Sequence, residues 1–121
     1  MRPAPRRAVH AALTAAVVAL AACAPTSEGP GAGGEAAPEP GDVVVKLVGL
    51  EFEPRSTSAP IGRRVVWQWT DSVVHNVVSR DFASSKALNG GSYAVRFDRA
   101  GTFPYRCTLH TGMDGTVVVT P

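Results

Sequence analysis

The chain has 121 residues, 45% of them apolar and 18% charged, with a formal net charge of +2 at pH 7. That is material for one ordinary domain, which excludes a large multi-domain enzyme, and a single apolar segment excludes a polytopic membrane protein. The candidate domain carries nine basic and seven acidic residues, a balance that does not describe a nucleic-acid binder.

Met1–His10 holds three arginines and no acid, and Ala11–Ala22 is an apolar run broken only by Thr14. This is the layout of a secretory signal peptide over residues 1–22, and it is too short to span a bilayer as a helix. Leu20-Ala21-Ala22-Cys23 resembles the lipobox of bacterial lipoproteins. That resemblance implies lipidation at Cys23, export, and anchoring to the outer face of the cytoplasmic membrane or in the periplasm. Arg6-Arg7 raises twin-arginine export as the minor alternative route. In Ala24–Gly41, nine of 18 residues are Gly or Pro. Such a segment buries too little to offset its ordering entropy, so residues 23–41 are expected to form a disordered tether. Its r.m.s. reach would be about 23 Å.

From Asp42 onward the pattern changes to strands, and the expected domain is 42–121. Val43–Val48 is a β-branched run. In Arg63–Thr70, Val65, Trp67 and Trp69 share a face. Tyr93, Val95 and Phe97 share another, as do Phe103, Tyr105 and Cys107, and Thr116–Thr120 closes the chain. Period-two patterning with aromatic and β-branched residues marks short strands. Turn signals at Ala59-Pro60-Ile61-Gly62, Asn89-Gly90-Gly91 and Asp98–Gly101 separate them. Phe82–Leu88 has room for one helical turn. The expected fold is all-β, a small antiparallel Greek-key β-sandwich or barrel in a single domain.

Cys107-Thr108-Leu109-His110-Thr111-Gly112-Met113 contains C-x2-H-x2-M, with His75 upstream. A thiolate, two imidazoles and a weak thioether form the ligand set of a blue-copper electron-transfer site. Taken singly, each of these residues is more often core filler or a hydrogen-bonded loop residue. The inventory reverses that balance. His10 lies in the signal, Cys23 is the anchor and Met1 the initiator. The remaining His75, Cys107, His110 and Met113 all fall into the one pattern. One copper ion, cycling between Cu(II) and Cu(I), is therefore the expected cofactor.

These residues carry a resemblance to the cupredoxins, of the amicyanin/plastocyanin type, over about Val43–Val119. His75-Asn76-Val77, the Gly101–Cys107 approach and the Gly112–Val119 ending are similar to that family. The resemblance implies that His75, Cys107 and His110 are equatorial ligands, with both histidines binding through Nδ1, and that Met113 is axial. It implies that Asn76 ties two ligand loops together through Thr108 and that its backbone N–H points at the Cys107 sulfur. Leu109 stands where proline is common in the family, so its N–H is expected to offer the sulfur a second hydrogen bond. Arg106 occupies the position of a tyrosine that serves plastocyanins as a second electron port, which puts that route in doubt here.

The function expected is electron transfer, not enzymatic catalysis, because no histidines remain for a second copper centre. A monomer would meet a transient redox donor and acceptor at the His110 edge, ringed by Leu109, Thr111, Gly112 and Ala59 or Pro60. The alternatives are a copper chaperone or store, and a copper-free β-sandwich binding module.

Overall fold

The computed structural model describes residues 33–84 and 90–121. The expected signal segment, Cys23 and most of the helical turn proposed over Phe82–Leu88 lie outside these residues. Within them, Phe82–Ser84 is extended rather than helical, and Val78 forms a bridge with Ala83.

Among the described residues nine strands form: β1 (Gly34–Glu35), β2 (Val43–Val48), β3 (Glu51–Glu53), β4 (Ser56–Pro60), β5 (Arg64–Trp69), β6 (Val78–Ser79), β7 (Ser92–Arg96), β8 (Gly101–Arg106) and β9 (Asp114–Thr120). They build two sheets, β1-β7-β5-β2-β3 and β4-β9-β8-β6. The all-β sandwich is therefore the observed architecture. Its sheets are mixed rather than purely antiparallel, because β2 runs parallel to β5 and β4 parallel to β9. Alternation predicts which face of a strand is buried but says nothing about the direction of its neighbour.

The period-two patterning places the core. Val45 and Leu47 from β2, Phe52 from β3, and Val65, Trp67 and Trp69 from β5 are buried. They face Phe103 and Tyr105 from β8 and Val117 and Val119 from β9 across the sandwich. Each large apolar side chain removed from water contributes roughly 1.5–3 kcal/mol. Trp67 sits at the centre, with ring centroids 5.4 Å from Phe82, 6.0 Å from Tyr93 and 5.1 Å from Tyr105. Burial pushes the Tyr105 phenol up to about 12. Gly115, paired with Tyr105 across β8 and β9, has no room for a side chain: a Cβ there would lie 2.4 Å from Tyr105 Cζ.

Gly34 and Glu35, expected in the disordered tether, pair antiparallel with Ala94 and Tyr93. The next residues are held as well. The Arg64 guanidinium donates to the Ala37 carbonyl at 3.2 Å and, through Nε, to Asp42 Oδ1 at 3.1 Å. Arg63 Nη1 donates to the Gly41 carbonyl at 2.9 Å. A Gly/Pro-rich sequence cannot build its own core, but it can borrow partners from an edge strand and from nearby arginines.

Candidate metal centre

Two connections converge at one end of the sandwich. β8 ends at Arg106, so the inward alternation of Phe103 and Tyr105 continues to Cys107, which is 2% exposed. The β8–β9 hairpin then closes on itself. Cys107 N–H donates to the Met113 carbonyl at 2.9 Å, and Met113 N–H to the His110 carbonyl at 3.3 Å. Gly112 holds φ +79, a left-handed conformation that glycine adopts without steric cost, just before Met113. The loop between β5 and β6 brings in His75, which is fully buried.

The donor atoms meet. Cys107 Sγ lies 3.5 Å from His110 Nδ1 and 4.0 Å from His75 Nδ1. The ligand atoms of all three residues lie within 4.8 Å of one another. The two imidazole rings approach edge to face, with centroids 5.0 Å apart. Donors held about 2.0–2.3 Å from a common centre in a plane would sit roughly 3.5–4 Å apart, so the spacing fits one metal ion. The donor chemistry fits too: a soft thiolate with two imidazoles suits copper. Met113 is buried beside Cys107 in the same cluster, and its backbone is bonded to both Cys107 and His110.

The electrostatics of His75 support metal binding. Burial pushes its pKa below the ordinary value, with the Asp71 carboxylate opposing that shift. A neutral imidazole with a free lone pair is the form a metal needs. Its Nε2 lies 3.5 Å from Asp71 Oδ1, which leaves Nδ1 turned toward Cys107. Asp71 is itself fixed, accepting from the Gly49 N–H at 2.6 Å and the Val73 N–H at 3.0 Å. Burial works to raise the Asp71 carboxyl, but the Val73 and Gly49 donors, with His75 beside it, outweigh that and hold the group below its ordinary value. That carboxylate stands close to the far ring nitrogen without a hydrogen bond to it.

The expected loop tie is present in full. Asn76 Nδ2 donates to Thr108 Oγ1 at 2.7 Å, and Thr108 N–H donates back to Asn76 Oδ1 at 2.8 Å. Cys107 Sγ is approached by the two imidazoles. Leu109 turns its side chain to solvent, at 50% exposure. The rim differs from expectation in one respect. Ala59 and Pro60 pair with Val119 and Thr120, at the far end of β9 from the ligand loop, so they do not border His110. A cleft lined by Cys107, Thr108, His110, Thr111 and Gly112 lies at the rim, and His110 is half-buried there.

Two contributors were given no role from the sequence. Asp71 stands four residues before His75, in the run whose pattern is similar to the family's, and that spacing is its one signal. Arg55 sits 57 positions from Gly112, yet its Nη2 donates to the Gly112 carbonyl at 3.1 Å and its Nε to the Asp114 carbonyl at 3.2 Å. It thereby grips the backbone on both sides of Met113. Nothing local in the sequence signals that contact.

A β-sandwich that gathers a thiolate and two imidazoles at one end defines a class of metal-binding domain, and the comparisons say which. The family model for the cupredoxin-like domain matches residues 12–119. The chain is 31% identical over 115 residues to amicyanin-alpha of Methylorubrum extorquens, covering 89% of this chain and 96% of that protein. It is 33% identical over 100 residues to amicyanin of Paracoccus denitrificans, covering 77% of this chain and 75% of that protein. It is 36% identical over 97 residues to plastocyanin of Scenedesmus fuscus, covering 64% of this chain and 99% of that protein. Among solved structures, a reduced tryptophan-to-tyrosine mutant of amicyanin superposes with a TM-score of 0.64 at 28% identity, over 78% of this chain and 95% of that chain. The chain belongs to the cupredoxin family and is of the amicyanin/plastocyanin type.

Proposed function

We infer that the protein is a type 1 copper electron carrier working outside the cytoplasm, exported by residues 1–22 and held to the membrane through a lipidated Cys23. The observation that carries the reading is the convergence of His75 Nδ1, Cys107 Sγ and His110 Nδ1 within 4.8 Å. Copper bound there supplies a one-electron couple between Cu(II) and Cu(I). His75, Cys107 and His110 would hold it, with the Met113 thioether as a further weak donor.

The chain's own contribution is rigidity and access. Cys107 and His75 are closed off from water, while the half-buried His110 ring connects the site to the surface. The Asn76–Thr108 pair, the Arg55 grip and the Asp71 contact fix the ligand loops from three directions, so little has to rearrange when the charge of the site changes. A donor and an acceptor, each meeting the monomer transiently at the His110 edge, complete the cycle. The reading does not call for an enzyme's substrate pocket. A copper store would need several further soft ligands, and the sequence has two Cys, two Met and three His in all.

The test is a Cu(II) titration of the soluble chain from Ala24 onward, followed by visible absorption and electron spin resonance. An intense blue band with narrow copper hyperfine splitting at one equivalent is expected. A pale complex in folded protein would leave a copper-free binding module as the better reading.

A further inference from the structure

Away from the His110 edge, a groove of about 760 Å³ lies on the outer face of the β4-β9-β8-β6 sheet. Cross-strand register builds it. Val78 of β6 lies opposite Arg106 of β8, and Arg106 opposite Asp114 of β9. Pro104 lies opposite Thr116, and Thr116 opposite Ser56. Arg55 and Arg80 complete the lining.

The charge of the groove is one-sided. It holds Arg55, Arg80 and Arg106 against the single carboxylate of Asp114. Arg55 spends its donors on two backbone carbonyls, which ties the chain down without neutralising its charge. Arg80 is 92% exposed and only brushes Asp81, at 4.0 Å. Arg106 forms no ion pair among the described residues, even with its cross-strand neighbour Asp114. The arginines at the other end of the molecule differ: Arg63, Arg64 and Arg96 are all engaged by carbonyl or carboxylate acceptors of the chain itself.

We propose that this groove docks an acidic segment of a protein partner, its carboxylates meeting Arg80 and Arg106. The proposal deepens the electron-carrier reading, on which it rests for the presence of a partner. Guanidinium groups pair with carboxylates bidentately, and a cluster of like charges with one counter-charge steers an oppositely charged partner into contact. The concave shape favours a protruding protein segment over a flat anionic membrane, which could not fill the hollow. Arg106 is joined to Cys107 by one peptide bond, so a partner seated here lies beside the ligand loop on a different side from the His110 edge.

The copper-loaded chain, reduced so that its spectrum is diamagnetic, would be titrated with a hexaglutamate peptide and followed by amide chemical shifts. The expected result is saturable shifts at Val78, Arg80, Arg106 and Thr116, weakening as salt is added. The double variant R80E/R106E should bind roughly tenfold more weakly or worse. Single R80E, remote from the ligands in sequence, should show a smaller loss in the same direction. Shifts centred elsewhere, affinity untouched by the double variant, or no binding by the wild type would each overturn the proposal. So would tighter binding to phosphatidylserine vesicles than to the peptide with the same dependence on Arg80 and Arg106, which would assign the face to a membrane. The blue band of each oxidised sample separates the two readings: its presence without peptide binding removes the docking groove alone, and its absence removes the electron carrier.

Discussion

Asn76 and Thr108 hold each other by two hydrogen bonds of opposite direction, 2.7 and 2.8 Å long, and so lock the His75 loop to the Cys107–His110 loop. The two residues are 32 positions apart, and each follows a ligand directly. Any relaxation between them is transmitted to the separation of His75 Nδ1 and Cys107 Sγ. Asn76→Ala should therefore cost about 1–2 kcal/mol of stability, the scale of two net hydrogen bonds. It should also shift the potential and broaden the copper hyperfine pattern. Urea unfolding and a redox titration of the same sample check both, and a change in stability without a change in potential would reduce Asn76 to a structural role.

Arg55 fixes the other side of the site. Its guanidinium bridges the Gly112 and Asp114 carbonyls, and lysine cannot span two acceptors in that way. Arg55→Lys should behave nearly as Arg55→Ala, each losing about 1 kcal/mol or somewhat more. Because Arg55 holds the backbone on both sides of Met113, both should also alter the relative intensities of the visible bands of the copper-loaded protein. Absorption spectra of the two variants, recorded beside a Met113→Ala control, give the comparison.

The segment before β2 is latched by charge. The Arg64 hydrogen bond holds the Asp42 carboxyl below its ordinary value of 3.8, with burial opposing and the Glu39 backbone donor assisting. The folded state thus favours the ionised form. The resulting stability is fully present above pH 3.8 and is lost as pH falls through the lowered folded value. Wild type and Asp42→Asn should differ in Tm near neutral pH and converge as the solution is acidified below that range. Thermal melts across the acid range, with β1 pairing followed by amide exchange at Glu35, would read out the effect.

Metal binding should report on folding. Three ligands are gathered from segments separated by up to 35 positions, from His75 to His110, so the unfolded chain offers copper no comparable site. At free copper 1,000-fold above the dissociation constant, the folded state should gain about 4 kcal/mol. Cys107→Ser should lose most of that gain while its metal-free stability changes little. Calorimetry with and without one equivalent of copper supplies the measurement.

Gly115→Ala tests the packing beneath the site. The added Cβ would lie 2.4 Å from the Tyr105 ring, which is wedged between Phe52 and Trp67 and has nowhere to go. Overpacking of this kind costs about 1–3 kcal/mol. Denaturant midpoints of the variant should fall accordingly, and restoration by Tyr105→Leu in the same chain would localise the clash.

The strand positions and inward faces were legible because aromatic and β-branched residues alternate with period two. Tyr105 and Cys107 fall on one face for that reason, and both are buried. The candidate ligands were legible because three of them lie in one hairpin loop and the fourth had few competitors of its type. The Asn76–Thr108 tie was expected from the resemblance alone. The parallel pairing of β2 with β5 was not legible, since alternation carries no direction. Nor was β1, where Gly34 and Glu35 have no pattern of their own and gain order only from the β7 edge.

The sequence by itself determined an all-β chain and its soft-ligand inventory, because burial periodicity and donor chemistry are local properties of residue types. The tertiary structure alone decided that Asp71 would stand beside His75, that Arg55 would grip the backbone around Met113, and that Arg80 and Arg106 would share a groove with the single carboxylate of Asp114. Those relations join residues brought together by strand order and register, and the free energy that fixes order and register is summed over the whole core rather than written in any one segment.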